Sequence, residues 1–204
     1  MIASRALGVT LLVALATTPA LAHHTGVYTP KDNAITENFK QVKFSAQARK
    51  FDVALRLYDA GPLRAEMRAR AAALPDGLET RVRAALVAHD AAEAERGLAV
   101  FFVALARDLA READRQLAAG AAPSTTGPRF LEAIWRYYNL ADFVVGQRDA
   151  RASVAMRLAY DDAETLARPA SGAPDAARLR ASFARLAQIL SDLVETTTPL
   201  RRNS

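Results

Sequence analysis

The 204-residue chain contains no cysteine. That absence excludes disulfides, a c-type haem attachment, iron–sulfur ligation and thiolate chemistry, so stability has to come from packing. Glycine and proline are also scarce, nine of each, and they punctuate long runs that contain neither. No segment alternates apolar and polar residues with a period of two, which argues against strands. Lysine is confined to Lys31, Lys40, Lys43 and Lys50, and every other strong base is arginine. Nucleophile triads, phosphate-binding glycine loops and dinucleotide-binding turns are missing as well. A conventional hydrolase, kinase or dehydrogenase is therefore disfavoured.

What is present begins with a secretory signal over residues 1–22. Arg5 gives a short positive region, Leu7 to Ala16 an apolar run, and Ala20-Leu21-Ala22 the small residues of a cleavage site. A membrane anchor would need about 20 continuous apolar residues, and Thr17, Thr18 and Pro19 interrupt this run. No later stretch is apolar enough to span a bilayer, so the mature chain is expected to carry no transmembrane segment and to be periplasmic or secreted. The formal charge is +5, from 27 basic and 22 acidic residues. Spread along helices, that balance reads as solvated faces and ion pairs, and no nucleic-acid partner is expected of an exported protein.

Residues 23–29 show no period and contain Gly26, the pattern of an extended arm. A single domain is expected over residues 30–195, followed by a tail over 196–204. Thr29-Pro30-Lys31-Asp32 supplies a cap, a first-turn proline and an acid, which predicts a helix start. Ile35, Phe39, Val42, Ala46, Phe51, Leu55 and Tyr58 carry its apolar face to Gly61-Pro62. Pro62 opens a short helix carrying Leu63 and Met67. Leu78 to Ala119 reads as one long helix with two apolar faces, covered on both or bent near Gly97. After a loop over Gly120 to Gly127, Pro128 opens a helix to Ala167 whose stripe includes Leu131, Ile134, Trp135, Tyr138, Val145, Met156 and Tyr160. Leu179, Phe183, Leu186, Leu190 and Leu193 mark the last helix. The fold class is all-α: an antiparallel four-helix-bundle-like domain with one short extra helix.

Three constellations carry chemistry. Cleavage after Ala22 would leave His23 at the terminus, offering an α-amine and a ring Nδ1 to one metal ion, with His24 beside it. Nitrogen-rich tetragonal sites favour copper, and His89 is a candidate third ligand. The terminal arrangement resembles the copper brace of certain oxidative enzymes over one or two residues; without their β-sandwich, the resemblance implies no activity here. The second constellation is a buried polar cluster of Glu93 and Arg96 with Asp142 and Asp149, two acids on an apolar stripe that need partners. It lacks the Glu-x-x-His pairs of di-metal bundles, because Leu86 stands three residues before His89. The third is the aromatic window of Trp135, Tyr137, Tyr138 and Phe143, with Trp135 and Tyr138 in the core and Tyr137 and Phe143 covering a helix or a partner. These features point to an exported helical-bundle binding protein for a transition metal, copper favoured. A metal-free interaction or scaffold protein of the cell envelope is the alternative, and an enzyme ranks third.

Overall fold

The computed structural model of the protein describes residues 33–169 and 172–197. These residues are all-helical. Among them eight α-helices run in the order α1 (Ala34–Gln47), α2 (Phe51–Ala60), α3 (Pro62–Ala69), α4 (Leu78–Val87), α5 (Ala91–Ala118), α6 (Pro123–Arg148), α7 (Ala150–Ala167) and α8 (Ala176–Thr197), with a 3-10 turn at Ala71–Ala73. No described helix is long and apolar enough to cross a membrane.

Eight helices stand where five were expected because three of the expected helices are divided. The run ending at Gly61 breaks after Gln47, the run from Leu78 breaks after Val87, and the run from Pro128 breaks after Arg148. At the first two breaks a single residue turns into the left-handed region, Arg49 at φ 59° and His89 at φ 58°. The following amides, Lys50 N and Asp90 N, donate to Ser45 O at 2.8 Å and Ala85 O at 2.9 Å, closing the helix end as a glycine-type cap does. New helices then start on side-chain caps: Asp90 accepts from Glu93 N at 2.9 Å, and Asp149 from Ala152 N at 2.9 Å. The predicted start at Thr29-Pro30 lies outside the described residues. Within them, α1 opens on Asn33, whose side chain accepts from Thr36 N while Thr36 Oγ1 accepts from Asn33 N, both at 3.0 Å. Gly120 to Gly127 is largely helix rather than loop, since Pro123 occupies the first turn of α6, where a missing N–H costs nothing.

Helix α5 is the centre. It packs on α1, α4, α6 and α8, while α7 packs on α6 and α8. Gly97 to Arg107 is buried without interruption, so the two apolar faces of this helix are both covered and no bend at Gly97 is needed. Phe102 meets Phe39 of α1 at 4.7 Å and Tyr137 of α6 at 5.9 Å between ring centroids. Each such fully buried side chain contributes about 1.5–3 kcal/mol. The pairs Trp135 with Tyr160 and Asp142 with Ser153 run in opposite chain directions, so α6 and α7 are antiparallel.

Candidate functional site

His23 and His24 lie outside the described residues. His89 is exposed at the turn between α4 and α5, stacked on Phe51 with ring centroids 4.7 Å apart and planes 9° from parallel. A ring flat against an aromatic face at a helix break is held by packing. Among the described residues no group of three histidine, aspartate or glutamate side chains is placed to hold a metal ion.

The expected polar cluster is divided between local partners. Arg96 pairs with Glu93 one turn away, beside Arg81 and Thr197, where the carbonyls ending α8 favour cations. Asp142 is half-buried and accepts from Ser153 Oγ at 3.1 Å and from the Arg157 guanidinium, both on α7. Asp149 is exposed and spends its side chain on the α7 cap. The physical reason is the break after Arg148: it resets the helix phase, so Asp149 no longer shares the stripe of Asp142. The structure brings Glu93 to Arg96 and Asp142 to α7, and it does not bring the two acids together.

The aromatic window forms the inner face of α6. Tyr138 is fully buried with its hydroxyl beside Ser153 and Asp142, and burial pushes its pKa up to about 12. Trp135 is half-buried between Tyr138 and Tyr160. Tyr137 covers Phe102, and its hydroxyl accepts from Asn33 Nδ2 at 3.2 Å, which ties the start of α1 to α6. Phe143 is 65% exposed.

Charged chemistry concentrates instead where α2, α3 and α4 meet. Arg64 pairs with both Asp59 and Glu79, and Arg83 grips Asp59 with two hydrogen bonds of 3.0 and 3.1 Å. Beneath them the Tyr58 hydroxyl donates to Glu79 O at 3.1 Å. The Arg83 hydrogen bond, followed by the nearby arginine charges, holds Asp59 below the usual carboxylate range. Burial pushes Glu79 up, but the Arg64 hydrogen bond and charge outweigh it and the net shift is downward. A general acid or base works best with a pKa near the operating pH, so two acids held ionised this way serve as ties between helices too short to stand alone.

A groove of about 440 Å³ lies between α1 and α2. Val53, Leu57, Ala60 and Pro62 form its apolar wall. Glu37 on α1 and Arg56 on α2 line it as well, and neither has an ion-pair partner among the described residues. Sequence reasoning missed this groove because Val53 and Leu57 fall within an ordinary amphipathic helix pattern. The only usable signal is that Val53 stands off the stripe of Phe51, Leu55 and Tyr58.

Comparison of the chain with protein-family models, with curated proteins and with solved structures found no match.

Proposed function

We propose that the chain is an exported helical protein that binds a protein partner of the cell envelope. In this reading α5 to α8 form an antiparallel four-helix bundle, and α1 to α4 carry the contact surface. The groove between α1 and α2 is the observation that supports it. Apolar side chains left in solvent between charges of opposite sign that have no ion-pair partner among the described residues suit an apolar side chain of a partner, flanked by polar contacts at the rim. The partner's anchor would enter beside Val53, which is 36% exposed. Val53→Glu places a charge there without touching the core. After cross-linking in the native envelope, the partner recovered with the unaltered chain should fall about tenfold or more with the variant. Equal recovery of that partner would overturn the reading.

The second reading is copper binding through His23 and His24, and the observation that favours it is their place directly after Ala20-Leu21-Ala22. A terminal amine and an imidazole donate to metal only when deprotonated, so such binding would release protons and weaken as pH falls toward about 5.

A further inference from the structure

The outer side of α7 carries Arg151, Val154, Leu158 and Asp161, separated by three, four and three residues, the spacing of a coiled-coil seam. All four are exposed, with Val154 at 55% and Leu158 at 57%. The flanks of this stripe are tied to the neighbouring helices: Arg157 pairs with Asp142 of α6, and Asp162 with Arg185 of α8 at 3.1 Å. Arg151 and Asp161 have no ion-pair partner among the described residues. On α6, Asp142 faces α7 and Tyr137 faces α5, and Phe143 stands about 100° further round beyond Asp142, away from Tyr137, so it opens to the outer side of the α6–α7 pair. Three large apolar side chains thus share one outer face, with a base at one end and an acid at the other.

We propose that this face is a self-association surface, and that its occupant is α7 of a second copy running antiparallel. The charge pattern argues for it. Met156 is the midpoint both of Arg151 and Asp161 and of Val154 and Leu158. A two-fold axis at that level sets Val154 against the partner's Leu158 and Arg151 against the partner's Asp161, twice over. An isologous contact requires this self-complementarity, and the pairing of each position with its opposite in the seam is the antiparallel form of knobs-into-holes packing. Phe143 of each copy flanks the seam and widens its apolar centre. The contact belongs to the small class of specific interfaces, below about 1,200 Å² in total, so the dimer is weak and concentration-dependent. This surface is separate from the α1–α2 groove, and the inference stands whether or not that groove holds a partner.

Sedimentation velocity of the full chain over a concentration series up to millimolar tests it. The unaltered chain should pass from monomer to dimer. Arg151→Asp should weaken association about tenfold or more by opposing two pairs of acids, and adding Asp161→Arg should restore it. Leu158→Glu should leave only monomer. Circular dichroism checks that each variant folds, and all these positions are exposed. Monomer at every concentration overturns the proposal and leaves the face to a partner of different sequence. A dimer that neither the charge swap nor Leu158→Glu disturbs also overturns it, because another surface then mediates the contact.

Discussion

Tyr58, Tyr137, Tyr138 and Tyr160 show what burial does to a single titratable group here. Desolvation disfavours the phenolate of each, raising all four, with Tyr138 and Tyr160 pushed up to about 12. A folded-state pKa above the ordinary value of about 10 means that the stabilisation is complete below that pH and is lost as pH rises from about 10 toward 12. In a spectrophotometric titration of the folded protein, Tyr58, Tyr138 and Tyr160 should therefore stay protonated at about pH 10, so that no more than two of the five tyrosines ionise there. Three or more ionising in folded protein would show that the aromatic window is open to water. At this scale the sequence was partly legible. Tyr138 and Trp135 stood on the apolar stripe, and the structure buries the first fully and the second by half. Asp142 and Asp149 were placed on one stripe by a period that assumed an unbroken helix. The cap formed by Asp149 removes that assumption, because a short polar side chain at a junction starts a helix as readily as it sits within one.

The helices themselves divide into those whose ends are written in glycine and proline and those whose ends are not. Gly61-Pro62 and Gly77 mark real boundaries, and Gly120 closes α5 in the left-handed region at φ 89°. Arg49 and His89 perform the same turn with a side chain attached, which costs about 1–2 kcal/mol in that region and leaves no compositional trace. For this reason the breaks after Gln47 and Val87 were illegible. At Gly97 the sequence left open a bend or a helix covered on two faces, and the structure shows the second, with Gly97 marking a close approach. A Cβ there would lie 2.5 Å from Val82 Cγ2 of α4. Although alanine is the better helix former by about 1 kcal/mol, Gly97→Ala should destabilise the protein by a net of about 1–2 kcal/mol in denaturant melts. Val82→Ala in the same chain should recover part of that loss by clearing the contact. A Gly97→Ala variant more stable than the parent would show that α4 is not seated on α5 as described.

At the scale of the molecule, helix class and the absence of a membrane-crossing helix among the described residues follow from pattern alone, because helical periodicity and hydropathy are summed over many residues. The groove between α1 and α2 was not visible in that way. It arises from two helices meeting at an angle set by the turn at Arg49, which places Val53 and Leu57 opposite Glu37. The α7 stripe, by contrast, was in the sequence as a three-and-four spacing, hidden beneath the stronger inner stripe of the same helix. Both surfaces lie on the outside of a filled core. The rival account places function at His23 and His24, so the two differ in what the isolated protein carries. The most direct measurement is elemental analysis of the chain purified from its native compartment, with its terminus fixed by mass spectrometry. The partner-binding account predicts no stoichiometric metal whatever the terminus; one equivalent of copper retained on a chain beginning at His23 would contradict it.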